Sequence, residues 1–373
     1  MFTISCASAA EPRSKLNLTL PAGFEIAIFA KLDVAPRMMA FDKNGNLFVS
    51  SAQSNQVIML PDANRDGLAE MPVLISKDLN APNGLAFVGE DLLVANQDGV
   101  VKLTKNSNKW SVWPFISGLF SGGHTLKSIK IGSDNHLYLN QGSSCNVCVE
   151  TEPMRATILR YTLEGKPAGS QIQDSLNTFS PIWAKGLRNS QGFAWHPKTG
   201  SMFATNNGSD MRSSTKNGKI NDALPPEHFN KIEAGKHYGW PHCWGEQVVD
   251  PNFAGADNFC KTTTPPAITF TSHSTPIGVT FLDKTNFPAE YKNDAIVALH
   301  GSWNRAQLSG YKLVRVKFNG GNPTEVVDFA TGWLKNNQAS GRPVDLIAGP
   351  DGALYVSDDG ANVIYRISYK NTL

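Results

Sequence analysis

The sequence predicts an all-β protein: a six-bladed β-propeller of four-stranded antiparallel blades, its ring closed by an N-terminal strand. Two observations lead there. The first is composition, with 373 residues of which 41% are hydrophobic and only 18% charged, alongside 32 glycines and 22 prolines. Soluble domains carry about a quarter charged residues. A chain this poor in charge and this rich in turn formers suits many short strands joined by tight turns. The second is repetition: an apolar run, a Gly/Asp/Asn turn and a second apolar run recur six times.

The copies follow one another in order. A strand-like run, GFEIAIFA from Gly23, precedes the first, RMMAFDKNGNLFVSS from Arg37. Then come NGLAFVGEDLLVAN from Asn83, LKSIKIGSDNHLYLN from Leu126 and SQGFAWHPKTGSMFATN from Ser190. The fifth, with a longer turn, is PIGVTFLDKTNFPAEYKNDAIVALHG from Pro276, and the sixth is PVDLIAGPDGALYVSDDG from Pro343. Alternating apolar residues bounded by turn signals mark antiparallel hairpins. Spacings of 46 and 44 residues between the equivalent Phe41, Phe87 and Ile131 match propeller blades, and the wider later spacings are insertions. A third strand follows some hairpins, as in YKLVRVKF at Tyr311 and NVIYRISY at Asn362. Only three strands remain after the sixth copy, so GFEIAIFA supplies the fourth and hides both sheet edges. Residues 18–370 are therefore one domain, although length alone allows two.

Charge and targeting narrow the setting. Lys plus Arg number 34 against 32 for Asp plus Glu, a net charge of +2. The basic residues are scattered, which excludes nucleic acid as partner. No apolar run approaches the ~18 residues of a membrane span. Residues 1–10, MFTISCASAA, read as the remnant of an export signal, with Ala7-Ser8-Ala9 in the form that precedes cleavage. Cleavage there removes Cys6 and leaves Cys145, Cys148, Cys243 and Cys260. An even count in a periplasmic or secreted chain favours disulfides. Cys145–Cys148 with Cys243–Cys260 is the natural choice among the three connectivities. Val149 in place of His after Cys148 excludes c-type haem attachment.

A propeller places the residues just before each innermost strand around one mouth of its central tunnel. Here they include Arg37, Asn83, His124, Arg188, Asn189, Thr275 and Arg342. Three arginines and a histidine converging there call for an anionic ligand with several acidic groups. Two other features read as ordinary turns. His136 and His196 fall in solvated hairpin turns, and Asp62-Ala63-Asn64-Arg65-Asp66-Gly67 starts like a calcium loop but has Val73 where the closing Glu belongs.

GLRNSQGFAWHPKTG at Gly186, NNGSD at Asn206 and EAGKHYGWPHCWG at Glu233 resemble the glucose/sorbosone dehydrogenase family. SSCNVC at Ser143, RATILRY at Arg155 and HGSWNR at His300 are similar to its L-sorbosone dehydrogenase-like branch. The resemblance runs from about Leu18 to about Tyr369. It implies a propeller that binds pyrroloquinoline quinone (PQQ) and calcium and oxidises an aldose or a sugar aldehyde such as sorbosone. Electrons would pass to an external acceptor such as a cytochrome c. His124 would take the hydroxyl proton while hydride passes to the quinone C5. Arg188 would contact the quinone oxygen, with Asn189 beside it. The carbonyls of Gly208 and Ser209 would hold calcium as a Lewis acid. Asp222 and Glu227 are offered to a second, structural calcium.

This chain departs from the family pattern in places. His300 or Arg305 stands in for a lysine on the fifth blade, and Trp303 is placed to stack on a flat ligand. Arg342 is what remains of an arginine pair, since Val344 occupies the other position. Ser143 replaces an acidic residue, and Arg37 supplies a cation from another blade. Two rival readings stay open: a calcium-dependent lactonase, whose motif PNGLAF at Pro82 resembles, and a non-catalytic propeller that holds another anion.

Overall fold

Period-two alternation builds six sheets of four antiparallel strands each. The computed structural model describes residues 16–107, 109–170 and 179–370; the export signal read at residues 1–10, with Cys6, lies outside them. The innermost strands of blades I to VI are Met39–Phe41, Leu85–Val88, Ile129–Ile131, Phe193–Trp195, Pro276–Phe281 and Pro343–Ala348. All six fall where the repeats put them. Blade VI takes its outer strand from Phe24–Lys31, paired from Phe24 opposite Tyr369 to Lys31 opposite Val363. The N-terminal run thus closes the ring. Both disulfides form as paired by nearest neighbours, Cys145–Cys148 and Cys243–Cys260. Among the described residues the longest helix is the four-residue Asp257–Cys260, and no helix is long and apolar enough to cross a membrane.

The core lies between blades. Phe203, Phe229, Phe270, Phe281 and Val297 pack where blades IV and V meet. Phe24, Phe287, Phe329 and Trp333 do the same beside the closing strand. His196 joins this packing and is buried against Phe281 and Phe318, its Nδ1 accepting from the Lys198 and Thr199 amides. The solvated turn expected for it is incorrect, because the aromatic wall of blade V covers it. In the turn from Asp62, the Asp62 and Asn64 oxygens accept from the turn's own amides at Asp66 and Gly67.

Near the axis the blades touch backbone to backbone. A Cβ at Gly192 would lie 1.7 Å from the Ile277 carbonyl oxygen, and one at Gly84 2.4 Å from the Ile129 nitrogen. Only glycine permits these approaches. Below the mouth, Met38, Ile277 and Val344 form a buried apolar cluster. Lys130 of blade III reaches the Val279 carbonyl of blade V at 3.2 Å. The channel is therefore crossed by side chains beneath its rim. On the rim, the loops after the second strands are short in blades I, II and VI. They are long in III, IV and V, at 142–156, 207–226 and 300–311.

Candidate active site

The first wall of the mouth rises from blades III and IV. Gly122 and Gly123, both at positive φ, turn the chain so that His124 meets Ser143. His124 Nδ1 lies 2.8 Å from Ser143 Oγ, which itself donates to the Cys145 carbonyl at 2.8 Å. The hydroxyl proton is thus committed, so Nδ1–H donates to it and Nε2 keeps its lone pair. Nε2 has no partner among the described residues. Burial, then the charge of Arg188, push the imidazole down to about 4, so it is neutral at pH 7. Beneath it sits a residue that sequence reading passed over. Lys127 is buried and gives its three protons to the carbonyls of Gln97, Phe120 and Thr125, at 2.5, 2.9 and 3.1 Å. It ties blade II to the loop that carries His124.

Arg188, 3% exposed, is held rather than free. Its Nε donates to the Asn146 carbonyl at 3.0 Å, and its Nη2 to Asn146 Oδ1 at 2.8 Å and Asp210 Oδ2 at 2.9 Å. Asn146 lies inside the Cys145–Cys148 loop and also accepts from Trp240 Nε1. Asp210 Oδ1 in turn accepts from Asn304 at 2.9 Å. Neither Asn146 nor Asp210 was singled out from sequence, although both stand in the quoted SSCNVC and NNGSD segments. Asn189 orients through its amide, which donates to Asn206 Oδ1 at 3.1 Å.

Oxygen atoms collect beside this pair. No backbone amide of the described residues donates to the carbonyls of Gly208 and Ser209, and Asn207 Oδ1 and Asn304 Oδ1 are buried without partners. Orphaned oxygens next to a carboxylate suit a hard cation such as calcium. Glu227 is buried under them, accepting from the Gly208 amide at 2.5 Å, and burial raises its carboxyl to about 7. Asp222 turns elsewhere and caps the Ala306 amide at 2.9 Å. The two share no hydrogen-bond partner, so the structure does not unite them in a second site.

The opposite wall is built by blades V, VI and I. His300 Nε2 donates to Asp359 Oδ1 at 2.8 Å, and Arg37 Nη1 donates to Asp359 Oδ2 at 2.8 Å. Arg37 spans the mouth, reaching Asn83 Oδ1 at 3.3 Å and Gln191 Oε1 at 3.0 Å. Asp359 was missed by the sequence reading. The signal was there, because it follows the second strand of blade VI as His300 follows that of blade V. Burial works against its charge, but the hydrogen bond from His300 and the charge of Arg37 prevail and hold it at about 2.

Of the two candidates on the fifth blade, His300 joins this cluster. Arg305 does not: it folds back onto the carbonyls of Gln307 and Ser272 at 3.0 and 2.9 Å. Arg342 clamps the same turn through the carbonyls of His300 and Gly301, at 3.3 and 2.8 Å. Trp303 stands 64% exposed on the long blade V loop. The rim is thus less cationic than three arginines imply, since two of them are met by carboxylates. Their remaining N–H groups, with two half-committed imidazoles and the free oxygens, fit a flat anion accompanied by a cation.

A family model described as TrAA12-like matches residues 18–370. An uncharacterized protein of Borreliella burgdorferi is 30% identical over 390 residues, covering 99% of this chain and 96% of that protein. The pyrroloquinoline quinone-dependent pyranose dehydrogenase of Coprinopsis cinerea is 24% identical over 98% of the chain, which spans only 56% of that protein. Among solved structures, the iodide form of the Trichoderma reesei carbohydrate-active enzymes family AA12 protein superposes with a TM-score of 0.82. It is 20% identical and covers 97% of this chain and 100% of that one.

Proposed function

The chain belongs to the TrAA12-like family, and from that premise we propose a PQQ- and calcium-dependent oxidoreductase of aldose sugars or sugar aldehydes, sorbosone-like in substrate, working outside the cytoplasm. One observation carries the reading: His124 is fixed by Ser143 through Nδ1 with Nε2 left free, at a mouth where arginines and unpartnered oxygens converge. The relative named above as PQQ-dependent supports the cofactor, and two disulfides support export.

When bound, the quinone supplies a two-electron sink, and calcium would polarise its carbonyl. Arg188 and Arg37 would hold its acidic groups, Arg342 and His300 would line its edge, and Asn189 would sit beside Arg188. The carbonyls of Gly208 and Ser209 with Asn207 Oδ1 would hold the cation. Exposed Trp303 would offer its ring to stack on a sugar or cofactor plane. His124 Nε2 takes the sugar hydroxyl proton, its neutral state at pH 7 leaving the lone pair available. An external acceptor such as a cytochrome c would take the electrons. The test is a titration of the purified protein with PQQ and Ca²⁺, read by visible absorbance, followed by dye reduction with a panel of sugars. No quinone uptake at micromolar concentration sinks the reading. Uptake without turnover on any sugar removes only the substrate class.

A further inference from the structure

The mouth holds one more proton-accepting group than sugar oxidation needs. His300 is 8% exposed. Its Nε2–H is spent on Asp359 at 2.8 Å, and Asp359 is held from its other oxygen by Arg37 at 2.8 Å. Nδ1 has no partner among the described residues, and it is not among the buried atoms left unsatisfied. This is an imidazole fixed in one tautomer by a carboxylate, with its second nitrogen open. That arrangement lets a histidine accept a proton and carry the resulting charge. The charged groups facing it are Asp359, Arg342 and Arg37.

A hydroxyl oxidised by a quinone loses one hydride and one proton. The reduced quinone carries two O–H bonds, and both protons must leave when a one-electron acceptor, such as a haem protein or a dye, withdraws the two electrons in turn. We infer that the His300–Asp359 pair serves this second half of the cycle, on the wall opposite His124. In each step an O–H bond of the reduced quinone breaks and an N–H bond forms at His300 Nδ1. One electron passes to the acceptor, Asp359 balances the imidazolium, and the proton is shed to water before the next transfer. Asp359 acts through His300 and is a positioning residue. The inference rests on the quinone-dependent reading above.

The experiment separates the half-reactions by stopped flow in protein loaded with PQQ and Ca²⁺. Sugar without acceptor bleaches the quinone absorbance, and a one-electron dye restores it. In His300→Gln the ratio of the restoring rate to the bleaching rate should fall at least ~10-fold, within the range of general acid–base catalysis. His124→Gln should raise that ratio, because it slows bleaching. Asp359→Asn should shift the ratio in the same direction as His300→Gln. In cofactor-free protein, Asp359→Asn should move the NMR titration of the His300 ring to lower pH. An unchanged ratio in His300→Gln overturns the inference, as does a His300 titration indifferent to Asp359→Asn. Failure of the wild-type chain to take up the quinone is a different outcome, and it removes the underlying reading as well.

Discussion

The two walls of the tunnel mouth hold the same three kinds of group, an imidazole, an arginine and a carboxylate, joined in different orders. On the blade III–IV wall the carboxylate, Asp210, belongs to the arginine, Arg188, and the imidazole of His124 leans on a neutral hydroxyl. On the other wall Asp359 stands between Arg37 and His300 and touches both. Burial lowers both imidazoles to about 4; Arg188 adds to the effect at His124, whereas at His300 Asp359 opposes both burial and the charges of Arg342 and Arg37. The carboxylate on the second wall is placed to balance charge on His300, and His124 has no such partner.

Replacing His124, the proposed base, is the most severe way to break this contrast. His124→Gln should lower sugar-dependent dye reduction by about 10²–10⁴-fold, with quinone uptake retained in the absorbance titration. Next comes the buried ion pair. Arg188→Met strands Asp210 and should cost about 3 kcal/mol in urea unfolding, at the low end for a broken buried pair because Asp210 is partly exposed. Adding Asp210→Asn should recover part of that loss, and strict additivity of the two would refute the coupling.

Acid tests the histidines together. His228 is fully buried and burial lowers it to about 4. The unfolded chain therefore binds its proton first, below about pH 6.5. Its contribution is complete above that pH and is lost progressively down to about 4, about 2 kcal/mol of it by pH 5. Urea midpoints measured at pH 7 and pH 5 should show the fall, and His228→Gln should reduce it. The smallest effect sharpens the comparison rather than breaking it. Ser143→Asp would give His124 the kind of partner His300 has, raising its titration point, whereas Ser143→Ala should cost only about 1 kcal/mol of orientation. NMR titration of the His124 ring distinguishes the two.

The architecture was readable because its signals are local. Alternation, turn glycines and a leftover N-terminal strand each lie within a few residues of what they specify. The disulfides were readable for the same reason. The rim positions Arg37, His124, Arg188 and Arg342 were found because they precede innermost strands. Their partners were not, because Asp359 meets Arg37 across 322 positions of sequence and Asn146 meets Arg188 across 42. Nothing near Arg305 in sequence shows that it turns away to Ser272, since that depends on a neighbouring blade's loop. Lys127 escaped notice because a lysine ahead of a strand ordinarily reads as solvated.

The side chains that cross the channel below the rim have a kinetic consequence. Met38, Ile277 and Val344, with Lys130 bridging to Val279, narrow the channel below the mouth among the described residues and leave the rim as its open side. On the proposed function, sugar, oxidised product and electron acceptor would take turns at it, which is a double-displacement scheme. Initial-rate lines at different acceptor concentrations should run parallel in a reciprocal plot, and excess sugar should slow turnover by crowding the acceptor out.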